Sequence, residues 1–251
     1  MKRGCRSIIF ALLMGISLPA FADQDPNEIL KAIVKIRSTI PDDARSARTL
    51  GTEREGTGVV IDSQGHILTI GYLIMEAETI EVFGPDGNPI KASSVGYDYN
   101  TGFGLLRTDK PLSVAPIELG QSSEVKEGDR VLVASHGGLD SVQGAWVVFR
   151  KEFAAYWEYL LEDAIFTVPV HPNFGGAALI DRNRRLVGIG SLFAQVMVPG
   201  IGSIPGNMFV PIDHLKPILA DLISKGRPQV PPRPWLGLYV EETQERIIVS
   251  R

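Results

Sequence analysis

Short apolar runs broken by turn residues constrain the fold of this chain more than any other feature. Runs of Val, Ile and Leu alternate with Gly, Asp, Asn and Pro, a pattern typical of an all-β sandwich or a pair of barrels. Two of the breaks are strong turn signals, Asp62–Gly65 and Pro85–Asn88. The length of 251 residues suffices for two lobes of roughly 100 residues, each with its own core. The sequence therefore predicts an all-β protein with two small lobes.

Residues 1–22 have the pattern of a secretion signal. Three basic residues precede an apolar run from Ile8 to Leu18, and Ala20–Ala22 offers a small-x-small cleavage site. The apolar run is too short to span a membrane. We therefore expect an exported protein, periplasmic or secreted, that is not inserted in a membrane after cleavage.

Loss of this segment changes the charge and removes the single cysteine. It takes away three positive charges and no acid, so the formal charge moves from −4 to −7, which argues against nucleic acid as a partner. The cysteine, Cys5, is removed as well, and no two histidines are spaced as metal ligands. We expect no disulfide, no metal and no cofactor.

Three segments carry a more specific pattern. Gly56–Asp62 and Gly65–Thr69 together form a hairpin motif, Val95–Arg107 forms a second motif, and Pro172–Gly176 reads Pro-Asn-Phe-Gly-Gly. Jointly they resemble the HtrA/Deg family of trypsin-like serine proteases. The resemblance runs from about residue 34 to residue 218.

The resemblance implies a trypsin-like double β-barrel with a short C-terminal helix. It places the protease domain at residues 23–225, with barrels at about 34–107 and 128–210 and a closing helix at 211–225. A Pro-rich linker at 226–234 is suited to an extended conformation. Residues 235–251 resemble the first strands of a PDZ domain and are too few to complete one.

The resemblance also places Tyr72, Gly102 and Phe174 at the positions of the catalytic histidine, aspartate and serine. Phenylalanine has no nucleophile, glycine has no carboxylate, and a phenol with a reference pKa of about 10 is a poor general base. Pro172 takes the place of a glycine whose backbone amide would stabilise the oxyanion. Because proline has no N–H, that donor is missing. The catalytic triad is thus predicted to be degenerate.

Five other residues are candidates for a rebuilt catalytic site. His66 is expected in a hairpin turn and His214 at the start of the last helix, both in structural or solvated roles. Ser135 and His136 are sequence neighbours whose side chains point to opposite faces of an extended segment. His171 is the better candidate because it lies three residues before Phe174, although a structural role is favoured for it as well.

Three functions remain open from the sequence. The first is a non-catalytic protein that binds polypeptide segments or unfolded proteins in a groove around Tyr72, His171 and Phe174–Gly176. The second is a regulatory or assembly subunit, in a homo-oligomer or with an active relative, since family members commonly form trimers. The third is an active endopeptidase with a rebuilt site. The first is preferred, with a role in envelope quality control that rests on the family alone.

Overall fold

The structure is a computed structural model of the chain. It describes residues 26–154, 160–198, 200–229, 240–243 and 246–249. The predicted signal segment lies outside these residues, and the predicted linker is described only as far as residue 229. Within the described part of the chain, no helix has the length and apolar character needed to cross a membrane.

The first half of the chain forms a closed antiparallel barrel of six strands, in the order β1-β2-β3-β6-β5-β4. Closure pairs both edges of the sheet, so no strand is left open in this barrel. Two short helices, α1 (Pro26–Lys31) and α2 (Ala47–Leu50), flank it. The strands are β1 (Ile33–Thr39), β2 (Glu53–Val60), β3 (His66–Ile70), β4 (Thr79–Phe83), β5 (Pro89–Tyr97) and β6 (Phe103–Thr108).

The second half repeats this architecture in a second closed barrel, with strand order β10-β11-β12-β9-β8-β7. The trypsin-like double barrel predicted from the sequence is therefore confirmed. The strands are β7 (Arg130–Ala134), β8 (Val142–Phe153), β9 (Leu161–Val168), β10 (Ala178–Ile180), β11 (Leu186–Val198) and β12 (Gly202–Pro211).

β11 and β12 extend beyond their barrel as a two-stranded ribbon. β10 pairs with β11 only as far as Ile189, and β9 pairs with β12 only at Asn207–Phe209. Residues 192–198 and 202–206, here called the β11–β12 ribbon, pair only with each other among the described residues. Beyond Gly190, one edge of β11 therefore has no partner strand in the described part of the chain.

The apolar core crosses from one barrel to the other. One cluster joins Val59 and Leu105 of the first barrel to Ile189 and Val210 of the second. A smaller cluster around Phe209 fills the rest of the second barrel. The shared core fixes the seam between the barrels, where the candidate site lies.

The C-terminal helix is shorter than the predicted range 211–225. The chain leaves β12 into a 3-10 turn at Ile212–His214, and α3 begins only at Leu219 and ends at Lys225. Pro217 explains the interruption, because proline lacks an N–H and disfavours helical conformation at the preceding residue. Gly226 then ends α3 in the left-handed conformation, with φ of 73°.

Two more strands, β13 (Val240–Thr243) and β14 (Arg246–Val249), pair with each other as an antiparallel hairpin. They fall in the segment for which the start of a PDZ-like domain was predicted. That assignment stays a prediction.

Candidate functional site

The loop at residues 171–176, between β9 and β10, is bonded to both barrels. The Gly175 carbonyl accepts a hydrogen bond of 2.9 Å from the Thr57 N–H of the first barrel. The Gly176 N–H donates to the Gly190 carbonyl of the second barrel at 2.8 Å. These bonds hold the 171–176 loop at the seam.

Two glycines are required by this loop for steric reasons. Gly176 has φ of 75°, and a Cβ there would lie 1.9 Å from the Thr57 carbonyl oxygen. A Cβ at Gly190 would lie 2.1 Å from the carbonyl oxygen of Phe174. Because both obstacles are backbone atoms, a larger residue could be accommodated only by moving the loop.

Tyr72 reaches across the seam to the second barrel. It lies on the 3-10 turn Gly71–Leu73 after β3, and its hydroxyl donates to the Ser191 carbonyl at 2.9 Å. The same hydroxyl is 3.0 Å from the point where a Cβ would stand on Gly175. The side chain is therefore packed against the 171–176 loop, and its proton is engaged on β11.

Arg54 holds the turn that carries Tyr72. Its guanidinium donates to the Tyr72 carbonyl at 2.7 Å and to the Met75 carbonyl at 3.0 Å. A third bond of 2.7 Å goes to the hydroxyl of Ser46. Burial lowers the pKa of Arg54, and the charge of Glu76 opposes that shift. Arg54 is a positioning residue, because it fixes the backbone beneath Tyr72.

Gly102 lies beside the same turn. Its carbonyl accepts a bond of 2.7 Å from the Gly71 N–H, and its φ is 81°. The nearest carboxylate in sequence, that of Asp98, is buried and accepts bonds from the hydroxyl and N–H of Thr101 and the N–H of Asn100. Asp98 is thus engaged in its own turn, where it stabilises the chain between β5 and β6.

The structure brings the three predicted triad positions to one end of the seam. Tyr72 and Gly102 are linked through Gly71, and Tyr72 contacts the loop that carries Phe174. The side chains present there are a phenol bonded to a carbonyl and a phenyl ring. Pro172 lies exposed in the same loop and has no N–H to offer an oxyanion.

His171 is fixed within the second barrel. Its backbone N–H donates to the side-chain oxygen of Asn207 at 2.6 Å, and the Asn207 amide donates to the His171 carbonyl at 3.3 Å. The ring is buried and its Nε2 donates to the Ser141 carbonyl at 3.3 Å. Burial lowers the pKa of His171, partly opposed by the Ser141 carbonyl. This geometry gives His171 a role in anchoring the loop.

A hydroxyl, an imidazole and a carboxylate line up at another point of the seam. Thr57 Oγ1 is 3.0 Å from Nδ1 of His136, and the His136 Nε2 is 3.7 Å from Glu55 Oε1. This order of groups is that of an activated nucleophile. Thr57 is completely buried, however, so no substrate can reach its oxygen. These contacts join β2 to the segment after β7, and their role is structural.

Two further candidates from the sequence, His66 and His214, are bonded to residues outside the 171–176 loop. His66 is the first residue of β3 rather than part of the turn, and it is buried with Nδ1 at 2.6 Å from Asp62. His214, in the 3-10 turn after β12, donates from Nε2 to the Glu162 carbonyl at 2.8 Å. Ser135 is buried beside His136.

Four residues of this region were not indicated by the sequence. They act through contacts between segments that lie apart in the chain, and such contacts leave no local pattern. They are Arg54, Thr57, Ser191 and Asn207.

Comparison with known proteins assigns the chain to a family. The sequence profile of the trypsin-like peptidase domain matches residues 56–189. A probable periplasmic serine endoprotease DegP-like from Pseudomonas putida (strain W619) is 28% identical over 219 residues, which are 85% of this chain and 42% of the relative. Protease Do-like 1, chloroplastic, from Arabidopsis thaliana is 29% identical over 203 residues, 78% of this chain and 45% of the relative. The chain thus spans less than half the length of these relatives.

Solved structures agree on the fold. The HtrA-type protease AlgW with tripeptide aligns with a TM-score of 0.63 at 21% identity, covering 88% of this chain and 73% of that one. The same protease with decapeptide aligns with a TM-score of 0.61 at 22% identity, covering 85% and 70%. The resemblance to HtrA/Deg proteases inferred from the motifs is confirmed. The chain belongs to the trypsin-like peptidase domain family.

Proposed function

We propose that this protein is an exported HtrA-like pseudoprotease that binds extended polypeptide segments without cleaving them. The observation that carries the proposal is an edge of β11 that pairs with no strand in the described part of the chain, beside a loop without reacting groups. Phe174 offers no nucleophile, Gly102 no carboxylate and Pro172 no oxyanion donor. The fold offers a place for a peptide, whereas the site offers no chemistry to cut it.

The edge of β11 is suited to strand addition. From Leu192 to Val198 it pairs with β12 on one side, and no strand in the described part of the chain pairs with the other. Such an edge presents backbone donors and acceptors that an extended peptide can use. Apolar side chains stand exposed beside it: Phe193 is 50% exposed and Met197 65%. A bound segment would therefore gain both backbone pairing and apolar contact.

Tyr72 sets one end of this binding edge. Its hydroxyl occupies the carbonyl of Ser191, the last residue before the free stretch. An added strand would therefore begin pairing at Leu192 and run away from the 171–176 loop. This arrangement keeps a bound segment off the position where a relative would attack it.

Export and quality control are proposed on wider grounds. The N-terminal signal pattern agrees with relatives that are named periplasmic. Structural neighbours with peptides bound make a polypeptide the natural class of ligand to test. We propose a periplasmic protein that engages unfolded or extended chains.

Binding is tested with residues 23–251 and fluorescein-labelled, reduced and carboxymethylated α-lactalbumin, which cannot fold. Fluorescence anisotropy should show saturable binding, weakened about tenfold or more by Phe193→Glu or Met197→Glu, because each introduces a desolvated charge on the edge. Ile223→Glu, an equally drastic change at an exposed position of α3, should leave the affinity unchanged. Equal affinity in all four proteins would refute strand addition at β11.

Absence of cleavage is tested on the same substrate. Wild type and Phe174→Ser should both leave it intact and resist a fluorophosphonate label, since a serine alone lacks its base and one oxyanion donor. Wild-type cleavage that copurifies with the protein and survives in the Phe174→Ala variant would point to a rebuilt active site and overturn the proposal.

A further inference from the structure

A cavity of about 580 Å³ lies at the seam, away from the 171–176 loop. Its walls come from α1, β1, the turn after β4 and the segment 136–139 of the second barrel. This volume is within the range of pockets that hold small organic ligands. None of the predicted triad positions lines this cavity, so a ligand bound there would be distinct from the polypeptide proposed for the β11 edge.

The lining is basic at one side. Lys31, Lys35 and His136 contribute to it, and among the described residues that line it there is no aspartate or glutamate. The chain as a whole carries a formal charge of −4, whereas the ionisable side chains that line this cavity are all basic. A cationic lining selects for an anion.

The neighbouring carboxylates leave hydrogen-bond donors of Lys31 and Lys35 available to a ligand. Lys35 Nζ lies 2.6 Å from Glu55 and Lys31 Nζ lies 2.6 Å from Glu28, but each carboxylate is nearly half exposed outside the cavity. Exposed pairs of this kind are weak, and an ammonium group has three donors. Both lysines can therefore bond an anion in the cavity as well.

His136 supplies a further donor. Its backbone N–H donates to Thr57 Oγ1 at 3.2 Å, and its Nδ1 lies 3.0 Å from the same oxygen. The Nε2 atom lies 3.7 Å from Glu55 Oε1, which is too long for a hydrogen bond. When its ring proton is on Nε2, or when the ring is charged, His136 can therefore donate to a ligand.

The rest of the lining is apolar. Leu30, Phe83 and Leu139 contribute to it, and Leu139 is 66% exposed. Lys35 Nζ lies 5.9 Å from the centre of the Phe83 ring, so the basic and apolar parts are adjacent. We propose that this cavity binds a carboxylate with an apolar body, whether a free small acid or the C-terminal end of a peptide.

The test uses residues 23–251 and four probes in isothermal titration calorimetry at neutral pH: octanoate, octanamide, acetyl-Gly-Leu-Phe with a free carboxylate, and its amide. At least one acid should bind with a dissociation constant of about 1 mM or lower, and its amide should bind at least tenfold more weakly. Octanoate binding identifies a free acid as the source, and binding of the peptide acid alone identifies a chain terminus. Failure of both acids, or equal binding of acid and amide, would overturn the proposal.

Variants locate the site. Lys31→Met and Lys35→Met should each weaken the binding acid about tenfold, whereas Lys91→Met, outside the cavity, should not change it. Leu139→Asp should abolish binding and Leu139→Asn should preserve most of it, and neither threatens folding because Leu139 is exposed. Phe193→Glu should leave acid binding intact, which separates this site from the β11 edge. Undiminished binding in Leu139→Asp and both lysine variants would place the acid elsewhere and refute the site.

Discussion

The backbone of the 171–176 loop and the side chains around it are constrained very differently by the fold. Gly176 and Gly190 each face a backbone carbonyl oxygen that leaves no room for a Cβ. The positions of Tyr72 and Phe174 admit aromatic rings, and the loop still makes its bonds to both barrels. The requirement for the loop's shape and the requirement for its chemistry are therefore separable.

The largest expected effect comes from adding a methyl group at a position where backbone atoms leave no room for it. Gly176→Ala puts a Cβ against the Thr57 carbonyl at a positive φ, so we expect a loss of about 3 kcal/mol in the free energy of unfolding. Urea denaturation followed by circular dichroism measures it. Gly144→Ala, where a Cβ would meet nothing within 4 Å, is the matched control and should change little. A loss below about 1 kcal/mol in Gly176→Ala would show that the loop adapts easily.

Arg54→Met tests the support beneath Tyr72. The substitution keeps a long apolar side chain but leaves the carbonyls of Tyr72 and Met75 without their charged donor. We expect a loss of about 2 kcal/mol in the free energy of unfolding, again from urea denaturation. Arg182→Met, in the exposed turn before β11, should cost less than about 0.5 kcal/mol. Equal effects of the two substitutions would remove Arg54 from the list of positioning residues.

Tyr72→Phe separates packing from hydrogen bonding at the seam. The ring stays while the bond to the Ser191 carbonyl is lost, at a cost of about 1 kcal/mol in the free energy of unfolding. Because this bond closes one end of the edge, its loss should raise the affinity for the unfolded α-lactalbumin probe a few-fold in the anisotropy assay. Tyr99→Phe, at an exposed ring, is the control for both measurements. Weaker probe binding in Tyr72→Phe would contradict the view that Tyr72 closes one end of the edge.

Sequence patterns were sufficient for the architecture of the molecule. Turn signals such as Pro85–Asn88 and the short apolar runs follow from local geometry, so an all-β protein with two lobes could be predicted, and the resemblance to HtrA/Deg proteases implied the double barrel. The end of β12 and the start of α3 were less accessible, because Pro217 interrupts a pattern that otherwise favours one helix across 211–225. A single breaker outweighs the periodicity around it.

The sequence placed the candidate positions of the site but not the contacts that hold them. Tyr72, Gly102 and Phe174 could be placed through motifs with fixed spacing, and proline chemistry alone removes an amide at Pro172. The bond from Tyr72 to Ser191 joins residues that are 119 positions apart, and no local rule predicts such a contact. The pair of bonds between His171 and Asn207 is hidden for the same reason.

Acid should reveal the smallest effect, through two imidazoles at the seam, that of the buried His171 and that of the partly buried His136. Burial lowers the pKa of His136, Lys35 lowers it further and Glu55 opposes both, while burial also lowers the pKa of His171. A lowered folded-state pKa means that the unfolded chain binds more protons once the pH falls below the ordinary histidine value of about 6.5. Stability should therefore be constant above about pH 7 and decline as the pH falls from about 6.5 towards 5.5, before most carboxylates titrate.

The midpoint of urea denaturation, measured across that pH range, gives the change of stability with pH. The variant His136→Gln isolates one contribution to that change. The variant removes the ring that takes up a proton on unfolding, so its midpoint should decline less steeply than that of the wild type, with the remainder due in part to His171. His136→Gln,His171→Gln should be flatter still. A wild-type midpoint that rises on acidification would mean that the folded state binds the additional protons, and the imidazoles at the seam would then be stabilised in their charged form, contrary to the burial that defines them here.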